Sequence, residues 1–338
     1  MPSRGPAVSE PLLEVRSLSV HFPVRGRSGA SQLLRAVEDV SFAIGAGETL
    51  GIVGESGCGK STLARALLGL VPVTGGSIRF AGQDYAGVGE RGLQPLRRAV
   101  RMVFQDPLAS LNPRFTVRQS VREPLDIFEP GLAQRERDQL AVAMLERVGL
   151  GSAFAERYPH ELSGGQNQRV SLARALVADP RLVICDEAVS ALDVSIQAQI
   201  LNLLADIQRD TGIALLFISH DLSVVRHISR QLLVLYLGRT MEQGDARSIF
   251  AAPRHPYTRS LIDAVPVPDP AVERARAAAP ALLGDLPSPL DPPSGCVFRT
   301  RCQRATIICK ITPPPLTTAG TDTATGFACH HPLEDAHP

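Results

Sequence analysis

Gly54-Glu55-Ser56-Gly57-Cys58-Gly59-Lys60-Ser61 is the stretch on which the fold turns. It fits G-x-x-x-x-G-K-[ST], a phosphate-binding loop. Thr49-Leu50-Gly51-Ile52-Val53 precedes it and reads as a strand apolar on both faces, as in a buried parallel sheet. An apolar-periodic helix over 60–70 follows. Glycines let successive backbone N–H groups turn toward phosphate oxygens, and the helix N-terminus adds a positive dipole. In such a loop Lys60 meets the β- and γ-phosphates and Ser61 offers its hydroxyl to Mg²⁺.

Working outward, Leu13 to Phe22 alternates with a slip, which predicts a half-buried strand. The spacing then predicts a loop over 23–35, a strand over 36–44 and an antiparallel excursion over 75–82. Residues 107–178 are helix-rich, with amphipathic stretches at 134–148 and 166–178. Buried strands are expected at 181–185 and 213–218, with a helix at 195–210 between them. Strands alternating with helices argue for an α/β core around a parallel sheet. Leu182-Val183-Ile184-Cys185-Asp186-Glu187 brings two carboxylates to a strand's C-terminal end, where open α/β sheets bind ligands. There Asp186 suits Mg²⁺ through water, and Glu187 suits polarising an attacking water. Leu162-Ser163-Gly164-Gly165-Gln166 precedes a helix and has two readings, a plain helix cap or a second anion site.

Composition narrows the function. The 338 residues are 44% hydrophobic and 20% charged, with 35 Lys plus Arg against 34 Asp plus Glu. That balance gives no electrostatic case for nucleic acid or an anionic membrane as main partner. Aromatics at 4%, without Trp, disfavour a base-stacking platform. The apolar runs 213–218 and 232–237 are far shorter than the ~20 residues a membrane helix needs. The first thirty residues lack an apolar signal core. A cytosolic chain is expected, and in that compartment six Cys do not build a disulfide framework.

GESGCGKS, LSGGQ, VICDE, Ser190-Ala191-Leu192-Asp193 and Ile218-Ser219-His220-Asp221 occur in this order. Together they resemble the ATP-binding subunit of an ABC transporter over about residues 12–250. The resemblance implies an ABC-type ATPase cassette: a RecA-like parallel-sheet core, an antiparallel β subdomain and a helical subdomain at about 107–178. It implies ATP and Mg²⁺ as cofactors. Gly54, Glu55, Ser56, Gly57, Cys58, Gly59, Lys60, Ser61 and Thr62 would hold the nucleotide. Ser61, Gln105 and Asp186 would hold Mg²⁺, and Glu187 would be the catalytic base, with His220 at the γ-phosphate. Gln105 (in Val103-Phe104-Gln105-Asp106) would also sense the membrane subunits. Phe22 matches the aromatic that stacks on adenine, with an ordinary strand-end core Phe as its other reading. In this family two cassettes pair head to tail, so Ser163, Gly164, Gly165 and Gln166 reach the partner's nucleotide and Asp193 crosses the interface.

Phe104 to Arg114, Ser190 to Leu204, Ser219 to Ser229 and His255-Pro256-Tyr257-Thr258 resemble oligopeptide and dipeptide importers, in the second of their two ATPase subunits. Implied partners are a sister ATPase, two transmembrane permeases and, through the complex, an extracytoplasmic solute-binding protein. Implied location is the cytoplasmic face of the membrane. A nickel, glutathione or other small-solute importer stays open. A non-transport ABC ATPase acting on nucleic acid would want paired cassettes, a coiled coil or a basic stretch, and has none here. Asn167 stands where Arg is usual after LSGGQ, and Ala188 where Pro commonly follows the glutamate.

Residues 1–11 are expected to fray, and 251–338 to form a separate small module. Its Cys296, Cys302, Cys309 and Cys329 are separated by five, six and nineteen residues, without C-x-x-C. The tail resembles the C-terminal extension of peptide-importer ATPases, in some of which four cysteines hold a [4Fe–4S] cluster. That cluster, structural zinc and unliganded thiols are the three readings. Cys58 and Cys185 read as structural.

Overall fold

A computed structural model describes residues 10–25, 31–190, 192–265, 284–318 and 325–334; most of the fraying expected at 1–11 falls outside this range. Twelve strands form two sheets. A four-stranded antiparallel sheet has the order β2-β1-β4-β5, from β1 (Leu13–Arg25), β2 (Ser31–Ile44), β4 (Gly75–Phe80) and β5 (Gln83–Asp84). The larger sheet takes β3 (Thr49–Val53), β6 (Val100–Val103), β7 (Leu182–Asp186), β8 (Ala214–Ile218), β9 (Gln231–Tyr236), β10 (Arg239–Asp245), β11 (Thr317–Thr318) and β12 (Gly326–Phe327). Its order is β11-β12-β10-β9-β3-β8-β7-β6. From β9 to β6 all neighbours are parallel. All five residues of β3, β7 and β8 are buried, as two-sided apolar strands require.

Each strand feeds two cores. Val183, Cys185, Leu215 and Phe217 point to one; Leu182, Ile184, Ala214, Leu216 and Ile218 point to the other. The second core is closed by α1 (Lys60–Leu67) and the antiparallel sheet, and α2 (Gln94–Ala99) adds Leu96 to it. The first takes the helices α4 (Val117–Phe128), α5 (Gln134–Arg147) and α6 (Gly164–Leu176), with α3 (Pro107–Ser110) beside α6, then α7 (Val194–Thr211) and α8 (Leu222–Ile228). α9 (Ala246–Ala251), α10 (Pro256–Asp263) and α11 (Ile307–Ile311) complete the described helices. None is long and apolar enough to cross a membrane.

Two expectations need correction. Residues 23–25 and 31–35 are strand rather than loop: β1 runs to Arg25 and β2 starts at Ser31, pairing Pro23 with Leu33 and Arg25 with Ser31. Pro23 fits because pairing of β1 with β4 ends at Ser19↔Gly75, so its other edge has no ladder to break. The expected helix to residue 70 stops at Leu67, since Gly69 takes φ +64°. Its N–H bonds Ala66 O and that of Leu70 bonds Arg65 O, which satisfies the last carbonyls.

The described residues after 250 share the larger sheet and its core. β12 pairs with β10, and Tyr257, Cys296, Val297, Phe298 and Cys309 belong to the first core. Phe298 lies edge-on to Tyr236 at 5.3 Å and tilted against Tyr257 at 5.3 Å. A buried Phe→Ala change costs about 3–5 kcal/mol. Phe298→Ala is therefore expected to lower the denaturant midpoint of the whole chain. Hydrogen exchange should speed up in β9 and β10 as well as in 294–311; exchange altered only in the tail would contradict a shared core.

Candidate functional site

The loop 54–59 is held open by backbone conformations that need glycine. Gly59 takes φ +104°, and a Cβ there would stand 2.1 Å from Ala36 O. Gly54, at φ +155°, would meet Leu235 O at 2.2 Å. Lys60, first residue of α1, is 4% exposed. Its Nζ donates to Gly54 O at 2.7 Å and Glu55 O at 3.0 Å, and lies 3.8 Å from Cys58 Sγ. The cation thus ties the loop to itself beneath the glycine N–H groups. Burial raises the Cys58 thiol, although Lys60 opposes this. Cys185 is pushed up to about 12 by burial in β7. Both are structural, as the sequence predicts.

β7 delivers the carboxylates. Ser61 Oγ donates to Asp186 Oδ1 at 3.0 Å, so the residues expected at Mg²⁺ are neighbours. Burial raises the Asp186 carboxyl above its ordinary range, partly offset by that bond. A hydroxyl and a carboxylate, with the Gln105 amide across the same cleft, are hard oxygen donors of the kind Mg²⁺ takes.

Glu187 takes φ +49°, a left-handed conformation that strains a residue with a Cβ. Its N–H donates to Ile218 O at 2.9 Å, and its carbonyl accepts from Ser190 Oγ at 2.9 Å. This turn aims the carboxylate at two neighbours. Gln105 Nε2 donates to Oε2 at 2.9 Å, and His220 Nδ1 lies 3.3 Å from the same oxygen. Lys60, Ser61, Thr62, Gln105 and Glu187 line one cleft of about 280 Å³, with Ser56, Gly57 and Gly59. Leu34, Arg35, Ala36, Leu237, Gly238 and Pro289 form its other wall. No sequence motif marks that wall, and Leu34 and Arg35 fall in the stretch 23–35 whose composition suggests a loop.

Other expected residues lie apart from this cleft. Ser163 caps α6: its hydroxyl accepts from Gln166 N at 3.3 Å, and Gln166 Oε1 accepts from Ser163 N at 2.9 Å. The capping reading is thus satisfied within the chain. Gly164 is exposed, with open space where a Cβ would stand, while Gly165 packs against Ile196. Asp193 caps α7, accepting from Ile196 N at 3.0 Å and Ser195 Oγ at 2.7 Å. None of Ser163, Gly164, Gly165, Gln166 and Asp193 lines the cleft. Phe22 does not line it either; it pairs with Leu34 and packs at the edge of the second core. Asn167 is buried and donates to Pro159 O at 2.9 Å, holding the turn before the signature.

The tail thiols do not form the expected centre. Among the described residues no group of three or more His, Cys, Asp or Glu side chains is arranged to hold a metal ion, so the [4Fe–4S] cluster at Cys296, Cys302, Cys309 and Cys329 is unsupported, and so is zinc. Burial raises Cys296 and Cys302, and lifts Cys329 to about 11; the neighbouring tail thiols add to each of these shifts.

Comparison with known proteins agrees with this geometry. Residues 37–190 match the ABC transporter family, and residues 241–309 match the oligopeptide/dipeptide transporter C-terminal region. The probable peptide ABC transporter ATP-binding protein y4tS of Sinorhizobium fredii (strain NBRC 101917 / NGR234) is 53% identical over 96% of this chain and 90% of its own. The oligopeptide transport ATP-binding protein OppF of Escherichia coli (strain K12) is 50% identical over 90% of this chain and 92% of its own. The dimeric, ADP- and Pi-bound post-hydrolysis structure of the ATP-binding cassette MJ0796 superposes with a TM-score of 0.63 at 27% identity, covering 70% of this chain and 99% of that one.

Lys60→Ala removes a buried cation that serves both the loop and a bound phosphate. A charge-assisted hydrogen bond contributes about 1.5–3 kcal/mol, so MgATP affinity is expected to fall about 10–100-fold. Equilibrium titration with MgATP measures it; unchanged affinity would contradict the placement of Lys60.

Proposed function

Because this chain belongs to the ATP-binding proteins of peptide ABC transporters, we propose that it is the ATP-hydrolysing subunit that powers import of oligopeptides or dipeptides. The observation that carries the hydrolytic reading is the convergence of Gln105 and His220 on one oxygen of Glu187, beside the Ser61–Asp186 pair. The match over 241–309 and the names of the relatives favour peptides over nickel or glutathione.

The loop N–H groups and Lys60 bind the phosphates, and Lys60 Nζ exchanges its contacts with Gly54 O and Glu55 O for phosphate oxygens. Ser61, Asp186 and Gln105 would hold Mg²⁺, which would supply charge neutralisation for the phosphates. Glu187 takes a proton from the attacking water, and His220, on the exposed rim, contacts the γ-phosphate. Phe22 stacking on adenine is part of the same proposal.

The exposed signature residues reach a second nucleotide site only across a partner. A head-to-tail pair with a sister ATPase would place Ser163, Gly164, Gly165 and Gln166 over the partner's phosphate loop, with Asp193 in the interface. Two permeases and an extracytoplasmic binding protein complete the complex, with this chain peripheral at the cytoplasmic face. A groove of about 340 Å³ suits permease docking: Phe104, Ile127, Phe128 and Leu70 offer apolar surface beside Arg101 and Glu123. Ile127 is 63% exposed there.

Glu187→Gln keeps size and hydrogen bonding but removes the base. Turnover in the purified transporter is expected to fall about 10²–10⁴-fold with MgATP binding retained; hydrolysis near wild-type would refute the role. The isolated chain is expected to be a poor ATPase, and adding the sister and membrane subunits should raise turnover sharply. High turnover from a dilute, strictly monomeric preparation would refute the shared site.

A further inference from the structure

Arg301 lies in the extension, 246 residues beyond Glu55, yet it contacts the phosphate loop. Its Nη1 donates to Glu55 Oε1 at 2.8 Å and Oε2 at 2.9 Å, with the Arg301 side chain 8% exposed. The same guanidinium sits 5.9 Å over the Tyr236 ring. A second contact comes from α10: Glu55 N–H donates to the Tyr257 hydroxyl at 3.0 Å. Side chain and backbone of the loop's second residue are therefore both held from beyond the cassette motifs.

The extension is built to present these groups. His255 caps α10, its Nδ1 accepting from Tyr257 N at 3.0 Å. His255 N and Arg254 N donate to the buried Glu242 carboxylate of β10 at 3.0 and 2.7 Å. Tyr236 and Tyr257 pack edge to face at 4.8 Å, and Phe298 sits against both. Arg301 N closes a turn on Phe298 O at 3.0 Å, so the buried Phe298 ring fixes where Arg301 can point.

Glu55 lies between Gly54 and Ser56, in a loop whose task is to hold polyanions. Left free, its carboxylate would add negative charge beside the phosphates and let the loop sample other shapes. We propose that Arg301 is a positioning residue for the phosphate loop: it neutralises and tethers Glu55, with Tyr257 fixing the adjoining N–H, so that the docked extension sets nucleotide affinity. The proposal rests on the ATP-site reading above. Coupling between two such sites is commonly 5–150-fold in affinity.

The test is equilibrium binding of Mg²⁺ complexes of ADP and of the non-hydrolysable analogue AMP-PNP to the full chain. Arg301→Ala is expected to weaken AMP-PNP binding about tenfold and ADP binding less, because AMP-PNP carries more negative charge. Adding Glu55→Gln to Arg301→Ala should restore affinity to within about twofold, since the stray charge is gone. Arg301→Lys should bind nearly as wild-type, because one nitrogen makes both contacts. A merely structural Arg301 would not be rescued by Glu55→Gln. Wild-type affinity in Arg301→Ala, or a loss that Glu55→Gln leaves in place, overturns the proposal. Should Arg301→Ala not fold, Tyr257→Phe is read instead: weakened AMP-PNP binding supports the tether and unchanged binding overturns it. A wild-type chain that binds neither nucleotide overturns the ATP site and the tether together; normal wild-type binding with an unaffected variant overturns the tether alone.

Discussion

The ammonium of Lys60, buried under its own loop and held by two backbone carbonyls, is the interaction on which the rest is arranged. A buried charge is tolerated only when its donors are used. Here the loop supplies the acceptors, and it does so by turning through glycines at positive φ. Gly54 lies under Leu235 O and Gly59 under Ala36 O, so β9 and the antiparallel sheet both press on the loop. The two sheets thus meet at the site: Leu34 to Ala36 of the cleft wall come from the antiparallel sheet, and the carboxylates come from the larger one.

β7 extends the logic. Its five residues, Asp186 included, are buried, so the chain first nears solvent at Glu187. Asp186 is still inside and is partnered by Ser61; Glu187 is turned out through a strained φ. One strand end thus offers two adjacent carboxylates in different environments, one suited to a cation and one to a proton. That division of labour comes from backbone geometry, since neither residue type favours it alone.

Much of this was legible in the sequence. The phosphate loop, the strands on either side and the Asp186–Glu187 pair follow from apolar runs that end in polar groups. Less legible was the wall at Leu34 to Ala36, where Pro23 and scattered Gly and Ser suggest a loop although an unpaired strand edge accepts the proline. β10 escaped for the opposite reason. Its residues include Thr240, Glu242 and Gln243, all buried, and hydropathy does not announce a strand with polar side chains in its interior. The Glu242 carboxylate is satisfied by N–H groups of Arg254 and His255, distant partners that only the fold reveals. The same holds for Arg301 and Glu55. The expected cluster at Cys296, Cys302, Cys309 and Cys329 follows from the tail's resemblance to other importer ATPases, and no metal-holding group is found among the described residues.

Amide exchange of the full chain, followed with and without MgATP, tests the central claim most directly. If the Lys60-centred loop is the nucleotide site and the described extension is fastened to it, MgATP should slow exchange at 54–62 and, with it, at 296–301. Exchange at 54–62 that MgATP leaves unchanged would contradict the account.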